Sequence, residues 1–153
     1  MKKSRQQIID EMLKYYGLDT KVLIENFKPN RFMGYSNRMQ RIKNLGRLME
    51  HKSNFKFKQR TAKDTTFAEY VFDSDTIILN NSAITDDYDF YMTILHEIAH
   101  AIDSRDMGQS QFKKAYFLEE DIHTAQGLNG YDMNKYEISA EAFATSELNR
   151  WMV

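Results

Sequence analysis

The sequence predicts an α+β domain with helices at both ends of the chain and a small, mainly antiparallel sheet between them. Near the N-terminus and in the C-terminal half, apolar residues recur at helical spacing. From about residue 54 to residue 80 the pattern instead alternates with period two and is rich in β-branched and aromatic residues. The length of 153 residues suits one domain. We therefore expect residues 1–153 to form a single domain.

The N-terminal helices are predicted from capping residues and apolar spacing. Ser4 followed by Gln7 matches a capping box and Gly17 closes the segment, so a helix is expected over 5–16. A short helix around 20–27 should stop before a proline. Residues 37–50 repeat apolar side chains at spacing three, with arginines on the opposite face, and predict a basic amphipathic helix.

The central sheet is predicted from three stretches. In "NFKFK", Phe55 and Phe57 alternate with lysines, and "TFAEYVF" places Ala68, Tyr70 and Phe72 on one side of a strand. After a "DSD" turn, "TIILN" is a second run of β-forming residues. This last strand precedes the longest predicted helix, and we expect it to form an edge where an extended peptide adds by main-chain hydrogen bonds.

Three helices are predicted in the C-terminal half. Asp86 or Asp87 is placed to cap a long helix over about 88–103. Aromatic residues at helical spacing predict a second helix over roughly 110–122, and a last helix is expected over about 134–150.

The net charge of −1 conceals a strong asymmetry along the chain. Residues 28–63 contain eleven Lys or Arg and one acid, whereas residues 64–153 contain five basic and seventeen acidic residues. We interpret 1–63 as a helical, basic N-terminal part and 64–153 as an acidic C-terminal part. The basic segment 28–63 indicates either an anionic partner or electrostatic complementarity between the two parts.

Composition limits the cellular setting and the metal chemistry. No stretch approaches the roughly 18 apolar residues of a membrane span, and the N-terminus lacks the apolar centre of a secretory signal. The chain contains no cysteine. We therefore expect a cytoplasmic protein without a membrane partner, in which any metal ion is held by His, Asp or Glu.

The stretch "HEIAH" carries the clearest chemical signal. His96 and His100 are four residues apart, so on a helix both imidazoles lie on one face and can bind one zinc ion. Glu97 is rotated away from that direction, near enough to reach a water molecule beside the ion but not placed as a ligand. The spacing predicts two metal ligands and a general base.

A catalytic zinc site normally has three protein ligands, and the third is not fixed by this motif. The extended form with a third histidine fails, because Asp103 and Asp106 occupy the positions of its glycine and histidine. The remaining candidates are Asp106, His123, Glu137 and Glu141. The last two are favoured because they lie four apart on one face of the last helix, so that one can bind zinc while the other accepts the second N–H of a ligating histidine.

Together, "HEIAHAID" and "EISAEAFA" resemble the motifs of the gluzincin metallopeptidases, in particular the zincin-like domain of the anthrax lethal factor-like peptidases, which include the Pro-Pro endopeptidases. The second motif is also similar to that of the ImmA/IrrE peptidases, although the apolar ending of those proteins is replaced here by "SELNRWM". The resemblance covers residues 76–148 at most. It implies that Glu137 is the third ligand and that Glu141 supports the site without binding the ion.

The lethal factor-like peptidases also have a tyrosine seven residues before the third ligand, which stabilises the transition state. Gly130 occupies that position here and Tyr131 follows it, so the resemblance implies Tyr131 in this role after a shift of one residue, with Tyr136 as the next choice. We also expect Asp103 beside the ligands, outside the coordination of the metal itself.

These observations lead to two functional hypotheses. The first is a zinc-dependent endopeptidase that requires Zn²⁺, acts on a peptide or protein substrate and uses Glu97 as general base. The second is a nucleic-acid-binding or regulatory module on the same scaffold, without hydrolysis, in which the basic segment 28–63 with its interleaved aromatic residues contacts phosphates and bases.

Overall fold

The computed structural model describes residues 2–26 and 67–152 of the chain. These residues form four helices and a three-stranded sheet, so the predicted α+β class is confirmed. In chain order the elements are α1 (Arg5–Tyr16), β1 (Lys21–Glu25), β2 (Ala68–Val71), β3 (Thr76–Asn80), α2 (Asp87–Met107), α3 (Gln109–Ala125) and α4 (Lys135–Trp151). Two short 3-10 turns, Phe72–Ser74 and Asn81–Ala83, follow β2 and β3.

The sheet has the strand order β1-β3-β2 and is mixed rather than mainly antiparallel. β2 and β3 form the predicted antiparallel pair, joined by a tight turn in which Asp75 adopts the left-handed conformation with φ 48°. β1 pairs with β3 in parallel, with Leu23 opposite Ile78. The prediction that β3 is an edge strand is therefore wrong, and a peptide cannot add to a strand that is paired on both sides.

The predicted helix at 20–27 is also wrong, because residues 21–25 form strand β1. Val22, Leu23 and Ile24 are consecutive residues, two of them β-branched, and such a run packs well on a sheet. The partner of β1 lies more than 50 residues further along the chain, so local sequence carried little information about it. The description of 1–63 as helical is corrected accordingly at residues 21–25. The predicted helix 37–50 and the strand with Phe55 and Phe57 lie outside the described residues.

The four helices agree with their predicted positions to within a few residues. The hydroxyl of Ser4 accepts a hydrogen bond from the backbone N–H of Gln7, whose side chain accepts one from the backbone N–H of Ser4. Gly17 ends α1 in the left-handed conformation, with φ 67°. Asp86 caps α2 by accepting from the backbone N–H of Asp89 at 2.8 Å. Local capping chemistry thus places the ends of these helices.

Helix α2 contacts all three other helices and strand β2 of the sheet. Its fully buried residues Ile94, Leu95 and Ile98 pack in a core shared with α1, the sheet, α3 and α4. The small residues Ala140 and Ala144 are fully buried on α4, which packs along α2. This packing holds the two predicted site helices side by side. Among the described residues, no helix combines the length and apolarity needed to cross a membrane.

Candidate metal centre

The two motif histidines lie on the face of α2 that is turned toward α4. The centroids of the His96 and His100 rings are 5.1 Å apart, one helical turn from each other. His100 is buried, and the side chain of His96 is only 14% exposed. Both imidazoles therefore sit in a sheltered position, where a polar ring needs a partner.

Glu137 of α4 provides that partner for both rings. Its Oε1 lies 2.8 Å from Nε2 of His96 and 3.1 Å from Nε2 of His100. The carboxylate is itself buried. One oxygen thus faces two imidazole nitrogens, and these three groups offer ligand atoms that all lie within 4.8 Å of one another.

The donor set fits a single zinc ion. Tetrahedral bonds of 2.0–2.1 Å place ligand atoms about 3.3 Å apart, so small side-chain shifts would admit the ion among these groups. Two imidazoles and a carboxylate are the ligand types of known catalytic zinc sites that keep one position open. Because this set contains imidazoles and a carboxylate but no thiolate, it suits zinc better than a soft metal ion such as Cu(I).

The electrostatics around His96 favour a positive charge between the helices. Burial lowers the pKa of His96, but hydrogen bonds to Glu137 and Glu141, together with the charge of Glu97, outweigh burial and raise the pKa to about 10. Because of the surrounding carboxylates, the His96 ring holds a proton far more tightly than an imidazole free in water. A metal cation satisfies the same carboxylates without that proton.

Glu141 lies on the other side of the His96 ring. Its Oε2 is 2.8 Å from Nδ1 of His96, while Glu137 faces Nε2. The hydrogen bond to His96 lowers the pKa of Glu141, so the carboxylate is ionised and accepts the N–H of the ring. This contact directs Nε2 of His96 toward Glu137. Glu141 is 61% exposed and contacts only this one histidine of the pair.

We expect Glu141→Gln to weaken zinc binding by about tenfold, the lower end of the range for residues that orient a metal-ligating histidine. The amide loses the negative charge that raises the basicity of His96. The dissociation constant is measured by competition with a chromogenic chelator. The control is Glu147→Gln, which removes one charge from the same helix. Glu147 forms hydrogen bonds with Tyr16 and Arg150. Equal affinities for the two variants would contradict this role.

Glu97 lies on α2 next to His96 but does not belong to the cluster of three ligand groups. Its side chain is buried, and its Oε2 has no hydrogen-bond partner among the described residues. A buried carboxylate oxygen without a donor is costly and uncommon. Such a group suits a base that awaits the proton of a water molecule entering the site.

The other candidate ligands lie apart from the cluster. Asp106 accepts a hydrogen bond from its neighbour Arg105 at 2.9 Å. Nε2 of His123 is 2.9 Å from Oε1 of Glu119, one turn earlier on α3. Neither residue belongs to the group of His96, His100 and Glu137.

Asp103 is close enough to His100 for their charges to interact. Burial raises the pKa of its carboxyl group, the nearby His100 partly offsets this rise, and Asp106 adds to it. Nδ1 of His100 is buried and has no hydrogen-bond partner among the residues that the structure describes. Asp103 therefore acts on His100 through charge, not through the hydrogen bond that Glu141 makes to His96.

Gly130, which the motif resemblance aligns with a tyrosine, lies in the loop before α4 and packs closely against α3. A Cβ atom at Gly130 would lie 2.4 Å from Oγ1 of Thr124 and 2.8 Å from the backbone oxygen of Glu120. Any side chain larger than that of glycine would collide with α3. Tyr131 is half-buried, and its backbone N–H donates to Oδ1 of Asn129 at 3.0 Å. Its role in the transition state stays a prediction.

Tyr116 of α3 was not among the predicted site residues, yet its hydroxyl donates a hydrogen bond to Oε2 of Glu137. In the sequence this residue belongs to the apolar pattern of α3, together with Phe112. A buried tyrosine hydroxyl needs a partner, which is the one signal the sequence offered. The partner lies 21 residues away on another helix, so its identity could not be read from spacing.

Comparisons with protein-family models, curated proteins and solved structures found no match to this chain. The site is therefore defined by its sequence motifs and by the contacts among His96, His100 and Glu137.

Proposed function

We propose that this protein is a zinc-dependent endopeptidase of the gluzincin type. The observation that carries the proposal is the position of Oε1 of Glu137 between Nε2 of His96 and Nε2 of His100. These groups come from two helices, and their convergence supports a site for one metal ion with two imidazole ligands and one carboxylate ligand. The motif resemblance to lethal factor-like peptidases supports the peptidase assignment.

Zinc bound by His96, His100 and Glu137 would supply Lewis acidity, polarising the scissile carbonyl and lowering the pKa of water toward 7. Glu97 takes a proton from the attacking water with its buried carboxylate oxygen, to which no described residue donates a hydrogen bond. It then delivers this proton to the leaving amine, so the same side chain acts first as base and then as acid. Burial of Glu97 keeps competing water away from the proton transfer.

The remaining polar groups bind or orient. Glu141 holds the His96 ring through Nδ1, and Tyr131 is assigned the hydrogen bond to the oxyanion that forms on the substrate carbonyl. Glu137 and the two histidines do not exchange protons with the substrate in this scheme. In this scheme Glu97 is the residue that transfers protons, and the residues around it bind zinc or orient the reacting groups.

A partner for the basic segment 28–63 remains a separate proposal. Its eleven basic residues suit an anionic surface, such as an acidic protein substrate or a nucleic acid. The segment lies outside the described residues, so only its charge supports this partner. The hydrolytic function depends on residues of α2 and α4 and does not require it.

The proposal is tested by incubating the zinc-loaded protein with a peptide library and identifying the products by mass spectrometry. We expect cleavage of internal peptide bonds that stops when 1,10-phenanthroline removes the metal and resumes when zinc is returned. Zinc-loaded protein that leaves every peptide intact, or cleavage that continues in excess chelator, would contradict the proposal.

A further inference from the structure

The hydroxyl of Tyr116 gives the Glu137 carboxylate two different oxygens. Oε2 accepts the hydrogen bond from Tyr116, whereas Oε1 faces Nε2 of both His96 and His100. A free carboxylate can rotate and offer either oxygen, or both, to a cation. The contact with Tyr116 occupies one oxygen and leaves the other directed at the histidines.

Tyr116 is itself firmly held. The residue is 2% exposed, and its ring centroid lies 5.0 Å from that of Phe72 and 6.0 Å from that of His100. The His100 and Tyr116 rings meet edge to face, with an interplanar angle of 89°. The same side chain thus contacts one histidine of the cluster and the carboxylate opposite it.

The backbone of Tyr116 also locates the helix that carries Glu137. Its carbonyl oxygen accepts a hydrogen bond from Nδ2 of Asn134 at 3.0 Å. Asn134 is fully buried and caps α4, because its Oδ1 accepts from the backbone N–H of Tyr136 at 2.9 Å. Glu137 lies in the first turn of that helix. The backbone of Tyr116 therefore helps to fix the start of α4, and its side chain helps to orient the carboxylate of Glu137.

We infer that Tyr116 is a positioning residue that makes Glu137 bind the metal through Oε1 alone. This inference rests on the proposed metal site and adds a residue that the motifs do not include. Without the hydroxyl, Oε2 loses this donor, and the carboxylate is less restrained from turning away or binding through both oxygens. Loss of such a support typically weakens metal binding by about 10- to 100-fold.

Tyr116→Phe tests this, and Tyr70→Phe is its matched control. Tyr70 is equally buried, its ring centroid lies 6.3 Å from that of His100, and its hydroxyl also donates to a carboxylate, Oδ1 of Asp75 at 2.6 Å. The two substitutions remove the same group from similar surroundings. They differ in whether the carboxylate belongs to the metal cluster.

Two readouts are measured on the full chain: the zinc dissociation constant, by chelator competition, and the visible absorption of the cobalt(II)-substituted protein, which reports ligand geometry. We expect Tyr116→Phe to weaken zinc binding by about 10- to 100-fold and to change the cobalt spectrum. Tyr70→Phe should match the wild type in both. If Tyr116→Phe does not fold, as judged by circular dichroism of the metal-free protein, Tyr116→Met is judged by the same criteria.

The inference is overturned if Tyr116→Phe binds zinc within twofold of the wild type, or if both variants weaken binding equally. A wild-type protein that binds neither zinc nor cobalt removes this inference and the proposed function together. If the wild type binds zinc without cleaving peptides and Tyr116→Phe still weakens that binding, only the proposed peptidase function fails. The two ideas are therefore separable.

Discussion

Glu97→Gln is expected to reduce the rate of peptide hydrolysis by about 100- to 10,000-fold, the range that a positioned general base contributes. The amide cannot accept a proton from the attacking water. Glu97 is not one of the three groups that converge as ligands, so zinc content should stay at the wild-type level. Folding should also be preserved, because a neutral amide is less costly to bury than a carboxylate.

The measurement combines steady-state cleavage of the best library peptide with zinc analysis of the same samples. Glu11→Gln is a suitable control, because this exposed carboxylate on α1 pairs with Lys3 and carries the same change in charge. Retained turnover in Glu97→Gln would rule out the assigned base. Loss of zinc together with turnover would instead make Glu97 part of the metal site.

Glu137→Gln is expected to weaken zinc binding by about 100- to 1000-fold. Structural zinc sites bind with roughly 10–16 kcal/mol shared among four ligands, so each ligand contributes about 2.5–4 kcal/mol, or about 70- to 900-fold in the dissociation constant, which is of this order. The amide oxygen can still accept the hydrogen bond from Tyr116. The substitution therefore removes the charge of the ligand while changing its shape little.

This experiment also decides between the two acids that the sequence left open. Chelator competition on Glu137→Gln, Glu141→Gln and the Glu147→Gln control should rank them in that order of zinc loss. A Glu137→Gln protein that retains wild-type affinity while Glu141→Gln loses zinc would assign the third ligand to Glu141. Glu141 contacts His96 through Nδ1, whereas Glu137 faces Nε2 of both histidines. The structure therefore favours Glu137 as the third ligand.

Sequence predicted those parts of the fold whose causes are local. The caps of α1 and α2 have partners within a few positions in the chain, and these helices begin or end where expected. These caps are Ser4, Gly17 and Asp86. The histidine pair is also local, because four residues make one helical turn. The juxtaposition of Glu137 with this pair was reached through a motif resemblance, and the structure brings the groups together.

The errors share a different cause, namely dependence on residues distant in the chain. Strand β1 owes its conformation to parallel pairing with β3, which short-range propensity does not encode. The same pairing with β1 makes β3 the central strand of the sheet instead of an edge strand. Tyr116 looked like a core residue because its polar contact with Glu137 crosses between helices. The close approach of Gly130 to α3 likewise depends on residues that local spacing does not reveal, and the shift of the predicted role to Tyr131 stays a prediction.

The proposed peptidase activity requires that His96, His100 and Glu137 together hold one zinc ion. Anomalous diffraction at the zinc edge from crystals of the zinc-loaded protein tests it most directly. We expect one peak per chain, about 2.0–2.1 Å from Nε2 of both histidines and bonded to a carboxylate oxygen of Glu137. A peak elsewhere, or zinc-saturated crystals with no peak between α2 and α4, would contradict it.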